Sequence, residues 1–141
     1  MVAKVRTALP DAAIVLIGPP EAEELPAHCK DKAREEAVCR PGVASASAEA
    51  CEWKRLPKLD AVREAQRKIA ERAGLVYWNW ASIMPKECGA DRWRATTPAL
   101  MAKDHLHFTI AGYKKGATAF LDTLVPVIDR VRSRSDAVSH N

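Results

Sequence analysis

The stretch Leu59-Asp60-Ala61-Val62-Arg63-Glu64-Ala65-Gln66-Arg67-Lys68-Ile69-Ala70-Glu71-Arg72-Ala73-Gly74-Leu75-Val76-Tyr77-Trp78-Asn79-Trp80 decides the fold class. Its first part places Val62, Ala65, Ile69 and Ala73 on one face at helical spacing. Asp60 can cap or charge the start, and Gly74 stands where a helix needs a left-handed residue just past its end. A helix is therefore expected over Leu59–Ala73, with that apolar face turned inward. Leu75–Trp80 follows at once, and its aromatic and apolar content reads as a strand.

Upstream, Ala12-Ala13-Ile14-Val15-Leu16-Ile17-Gly18 is a continuous apolar run closed by Pro19-Pro20. Such a run reads as a strand buried on both faces, as in a parallel sheet. Strand, crossover with a helix, strand is the unit of a parallel α/β fold. Residues 1–9 read as a helix end, broken at Pro10-Asp11. Residues 19–57 read as a long irregular segment, with room for a short helix within 21–37. A second loop spans 81–104. Thr109 is a good N-cap for a last helix over about 110–132, whose stripe runs Tyr113, Ala117, Phe120, Leu121, Leu124, Val127, Ile128 and Val131. Pro126 is placed to kink it. One domain over 1–132 and a disordered tail over 133–141 are expected.

The chain has 141 residues, enough for one modest domain, and is 48% hydrophobic and 28% charged, which is globular and not disordered composition. A net charge of +4 with a pI near 9.0 is weakly basic. Arg130, Arg132 and Arg134 lack interleaved aromatics, so no nucleic-acid partner is expected. No apolar run is long enough to span a membrane, and the start at Met1 carries no convincing export signal. Cys29, Cys39, Cys51 and Cys88 show no C-x-x-C spacing, which argues against a zinc knuckle. Either disulfides or free thiols fit them.

The chemistry concentrates in Asp104-His105-Leu106-His107-Phe108-Thr109-Ile110-Ala111-Gly112-Tyr113. An Asp and a His three residues apart in one turn can meet. The carboxylate then accepts from one ring nitrogen and fixes the tautomer, leaving the other nitrogen to act as general base and acid. His107 is the candidate base and Asp104 its orienter. A loop opening a helix at the mouth of a parallel sheet is where active sites gather. Asp104, His105 and His107 also have a spacing that metal ligands use, but no further His or Cys cluster supports it, and no metal or cofactor is expected. Tyr77, Trp78 and Trp80 read as core, with a sugar site as the alternative. Trp93, in the loop before the box, is a candidate substrate wall or a packing residue.

This box resembles the C-terminal end of the SGNH (GDSL-like) hydrolases, whose Asp-x-x-His is followed by Phe/Leu-Thr-x-x-Gly-Tyr and a long helix. The resemblance is nearest to bacterial esterases that remove acetyl groups from peptidoglycan. Pro10–Pro20 is similar to that family's penultimate-strand region, and Val62–Arg67 with Gly74–Trp80 to its last helix–strand unit. The resemblance covers about 1–132. It implies a flavodoxin-like, partial three-layer α/β/α parallel sheet corresponding to the C-terminal half of the fold. It also implies an acyl or acetyl ester substrate, on a small molecule or a glycan, and no cofactor. Members of this type are often periplasmic or exported.

The departure concerns the nucleophile. The family's Gly-Asp-Ser and Gly-x-Asn-Asp motifs do not occur in this sequence. Ser45, Ser47, Ser82, Ser133, Ser135 and Ser139 lack a nucleophile's context. Removing the nucleophile from a triad costs on the order of a million-fold in rate. The chain alone is therefore expected to be inactive, with a non-catalytic remnant or interaction module as the alternative. Strands missing from the sheet would leave apolar faces uncovered, and self-association is expected from them.

Overall fold

The computed structural model describes residues 2–10, 12–29, 37–41 and 50–139, the last nine of them by backbone alone. Ser45 and Ser47 lie outside the described residues, as do residues 30–36 of the span 21–37 in which a short helix was envisaged.

The expected strand–helix–strand unit is present. Strand β1 (Val15–Gly18) pairs in parallel with β4 (Val76–Asn79), in register from Val15↔Val76 to Gly18↔Asn79. Between them run a short antiparallel ribbon, β2 (Glu23–Glu24) with β3 (Lys54–Arg55), and helix α2 (Leu59–Ala73). Helix α1 itself (Val2–Ala8) precedes β1. After β4 come a 3₁₀ turn (Trp80–Ile83), the short helix α3 (Gly89–Arg94) and the long helix α4 (Ile110–Ser139). Alternation along β4 separates the layers. Tyr77 lies near Arg63 and Arg67 of α2, whereas the Trp78 ring meets Phe120 of α4 edge-on at 5.2 Å. Helix, sheet, helix is the partial three-layer α/β arrangement expected.

Helix α2 has the expected bounds, and Gly74 takes the left-handed C-cap, φ 61°, returning its N–H to Ala70 and Glu71 carbonyls. The face turned inward differs from expectation. Val62 and Ile69 are 45% and 46% exposed, while Arg63 and Ala70 are buried. Two forces set this roll. Ala70 permits close approach to the sheet, and Arg63 donates to the Pro19 and Pro20 carbonyls and to Glu21. These bonds satisfy the backbone of the turn that leaves β1. Asp60 does not cap the helix. It pairs with Arg55 and Arg63 across the first turn.

Three further expectations are corrected. The 19–57 segment contains the β2–β3 ribbon, because disulfides Cys29–Cys51 and Cys39–Cys88 staple what the apolar pattern could not specify. Strand β1 is not buried on both faces, since Ile17 is 45% exposed, and among the described residues β1 pairs with β4 alone. Helix α4 continues to Ser139, beyond the end set near 132, so 133–139 are helical where a disordered tail was expected. Ser and Asp in that last stretch lower helix propensity without stopping a helix already propagating.

The core lies beneath the Asp–His loop. Met84, Ala90, Trp93 and Met101 are buried together, with Trp80, Ile83, Leu100 and Phe108 packed against them. Helix α4 meets this core through its small residues. A side chain at Gly112 would collide with the Leu100 carbonyl, and one at Gly116 with the Trp80 ring. Larger residues of the expected stripe, Tyr113, Leu121, Val127 and Ile128, stay exposed.

Candidate active site

The box forms a closed loop. Met101 and Phe108 make an antiparallel bridge, and the Ala102 N–H donates to the His107 carbonyl at 2.7 Å. Thr109 Oγ1 accepts from the Gly112 N–H at 3.2 Å, the N-cap bond expected of it, and donates to the Ala99 carbonyl. The loop is thus fastened to α4 at the residue after Phe108.

Within it, Asp104 and His107 meet. His107 Nδ1 lies 2.6 Å from Asp104 Oδ2, and Asp104 Oδ1 accepts from the Leu106 and His107 N–H groups, each at 3.0 Å. Burial pushes the Asp104 carboxyl up. The hydrogen bonds from the His107 backbone, the His107 ring and the Leu106 backbone outweigh it and bring it down to about 2. At neutral pH Asp104 is therefore a carboxylate. It accepts the Nδ1 proton and leaves Nε2 as the basic nitrogen. The His107 side chain is 74% exposed, so the ring is open to solvent.

The other candidates separate from this pair. His105 is fully buried, its Nδ1 2.9 Å from Glu23 Oε2 and its ring stacked on Trp53 at 3.7 Å. Its neighbour His107 points outward, so Asp104, His105 and His107 do not converge as metal ligands. Trp93 is 4% exposed, held in the core and tilted against Phe108. It packs against Phe108 beneath the loop, in keeping with the packing alternative of its two readings. Trp78 and Trp80 belong to an aromatic cluster with Phe108, Tyr113 and Phe120, which agrees with the core reading. Ser82 donates to the Asn79 carbonyl at 2.7 Å, and among the described side chains no serine hydroxyl bonds to His107.

Sequence reasoning missed Glu23 and Trp53. Both sit in the segment read as irregular, where neither periodicity nor motif marks them. With Pro26, Asp104 and Leu106 they line a cavity of about 360 Å³ beside the box.

The fold is a partial three-layer α/β domain, consistent with an SGNH-like fold, and it carries the Asp104–His107 pair on the loop before α4. The chain is similar to a solved structure described as a peptidoglycan O-acetylesterase in action, with a TM-score of 0.64 and 25% identity. The likeness covers 92% of this chain and 30% of that one, so this chain spans less than a third of its structural relative. No family model matches the sequence, and no curated protein does. Among the described residues, no helix is long and apolar enough to cross a membrane.

Proposed function

We propose that this chain carries the base and orienter of an SGNH-type ester hydrolase, with the serine supplied by polypeptide outside these 141 residues. The observation that carries this reading is the Asp104–His107 contact at 2.6 Å, with the second ring nitrogen left toward solvent. In the reaction, His107 Nε2 takes the serine hydroxyl proton as the oxygen attacks the ester carbonyl. It returns that proton to the leaving alkoxide, and repeats the cycle with water to release the acid. Asp104 stabilises the imidazolium in both halves. The class of ester, an acetyl on a glycan such as peptidoglycan, is supported by what the structural relative is described as cleaving. The cavity between Trp53 and Asp104 is the size of a small ligand site and offers an apolar wall for part of such a substrate.

The test is complementation. The region of the peptidoglycan O-acetylesterase that this chain does not cover is co-expressed with it, and aryl-acetate hydrolysis is measured. Hydrolysis that is lost in His107→Ala and strongly reduced in Asp104→Asn is expected. An assembled complex that hydrolyses nothing, or whose activity ignores His107→Ala, overturns the proposal. The alternative is a non-catalytic remnant or interaction module, in keeping with the absence of a serine bonded to His107 among the described side chains. On that reading the complex assembles and stays silent.

A further inference from the structure

The tip of the Asp–His loop does not hold itself. His105 has φ 57°, the left-handed region that a side chain with a Cβ enters only at a cost. That turn lets the Leu106 and His107 N–H groups both reach back to Asp104 Oδ1. The alignment of Asp104 with His107 therefore depends on His105 staying where it is.

Glu23 is the residue that keeps it there. It comes from β2, 82 positions earlier, and is 1% exposed. Its Oε1 accepts from the Ala90 N–H at 3.2 Å and its Oε2 from the Asp91 N–H at 3.1 Å. The same Oε2 lies 2.9 Å from His105 Nδ1, which donates to it. The Glu23 N–H in turn donates to the His105 carbonyl at 3.2 Å. One buried residue thus grips side chain and backbone of the residue beside Asp104. Trp53 closes the ring's face at 3.7 Å. Among the described residues, His105 Nε2 is buried without a hydrogen bond, 3.8 Å from Asp91 Oδ1, and the ring's hydrogen bond is made on the Nδ1 side. A buried carboxylate is tolerated where donors converge on it, as here.

We propose that Glu23 and His105 are a positioning pair, a buried brace that holds the left-handed turn and so aligns Asp104 with His107. This rests on the reading of Asp104 and His107 as orienter and base. Neither brace residue touches substrate.

The experiment is NMR on the 141-residue chain, following the Asp104 carboxyl titration and the His107 imidazole nitrogens. The variants are Glu23→Gln, His105→Gln and His105→Asn. Asparagine tolerates the left-handed backbone and places its amide nitrogen near the Nδ1 position. Glutamine reaches toward the Nε2 position and loses the Glu23 contact. In the wild type Asp104 titrates at about 2. Glu23→Gln and His105→Gln are expected to move it up toward the ordinary 3.8 and to weaken the His107 Nδ1–H signal, while His105→Asn restores both. An Asp104 that stays near 2 in a folded Glu23→Gln chain overturns the proposal. If Glu23→Gln does not fold, the two His105 variants decide, and identical behaviour of both overturns it. This readout involves no hydrolysis. Failed complementation with the coupling intact counts against the function and leaves the brace standing. Coupling that survives Glu23→Gln and His105→Gln, with His107-dependent hydrolysis intact, does the reverse.

Discussion

Arg63 Nη1 lies 2.8 Å from Glu21 Oε1, with the two side chains 9% and 7% exposed, and this pair locks helix α2 to the turn that leaves β1. The guanidinium also holds the Pro19 and Pro20 carbonyls. Removing one partner of a buried ion pair leaves the other desolvated and unpaired, at a cost of about 3–5 kcal/mol. Arg63→Ala is expected to lose about that much in urea unfolding. Arg63→Lys is expected to recover only part, because a single ammonium cannot serve a carboxylate and two carbonyls in fixed directions. An Arg63→Ala chain as stable as the wild type would show that hydrophobic contacts set the roll of α2.

That pair also marks the limit of what the sequence shows. Helical spacing, Gly74 and the β-run after it were enough to place α2 and β4, because they are local signals. The apolar face Val62–Ile69 pointed to the wrong side, because the choice of buried face rests on Arg63 reaching residues far away in sequence. Asp104 and His107 were legible for the same reason as α2: their partners lie within three positions. Glu23 and Trp53 were not, since their link to His105 exists only once the disulfide-stapled ribbon is folded. Trp93 stood open between a substrate wall and a packing residue, and the core beneath its loop is what buries it.

Asp104 gives the fold a pH dependence of definite sign. Its carboxyl titrates at about 2 in the folded chain against an ordinary 3.8. Its contribution is therefore complete above the ordinary value and is lost as pH falls through about 2. Asp60 and Glu64 are lowered to about 2 by their bonds to Arg55 and Arg67, so they titrate in the same window. The wild type is expected to lose stability between about pH 4 and 2, with Asp104→Asn already destabilised at pH 6 and the difference closing at the acid end. Thermal melts across that range check it. A difference that persists unchanged at pH 2 would mean that Asp104 acts through packing and not through its charge.

Gly112 lets α4 approach the loop that carries the box. A Cβ there would sit 2.0 Å from the Leu100 carbonyl oxygen, which is backbone and cannot swing away. Gly112→Ala is expected to destabilise by about 1–3 kcal/mol as the helix is pushed outward. At Gly74 nothing among the described residues lies within 4 Å of such a Cβ, and the cost of alanine is the left-handed backbone itself, about 1 kcal/mol. The Thr109 cap bond lies beside Gly112. Amide exchange at Gly112 and Tyr113 should therefore accelerate in Gly112→Ala and stay unchanged in Gly74→Ala.

The disulfides are expected to matter more for the site than for the sheet. Cys39–Cys88 closes a loop of 49 positions and ties the residue before α3 to the β3 side of the ribbon. Loop-closure entropy puts its worth at about 4 kcal/mol in the unfolded-state account. Cys88 lies just ahead of Ala90 and Asp91, whose N–H groups hold Glu23. Reduction, or the Cys39→Ala/Cys88→Ala pair, should therefore release Glu23 and His105 before the β1–β4 pairing opens. Peptide mapping verifies the Cys29–Cys51 and Cys39–Cys88 linkages, and exchange rates compare the two regions. Uniform loosening of both would show that the ribbon and the sheet unfold as one unit.

The apolar residues that remain outside carry the last expectation. Ile17 on the sheet, Val62 and Ile69 on α2, and Leu121, Val125 and Ile128 on α4 are each at least 40% exposed. Isolated exposed apolar side chains are ordinary, but runs of them beside an unpaired strand edge invite association. Among the described residues β1 has β4 on one side and no strand on the other. The chain is therefore expected to self-associate, with mass rising with concentration in analytical ultracentrifugation. Ile17→Lys places a charge on the open strand and should lower that association. Substitution at Ser82, away from these residues, should leave it unchanged. If the same surface receives the polypeptide that supplies the serine, then the complementing half and self-association compete. Adding that half should return the chain to a single heteromeric species, and Ile17→Lys should weaken both assemblies. A chain that stays monomeric at every concentration would mean that these side chains are too scattered to form one surface, and would remove the structural support for docking of a second half there.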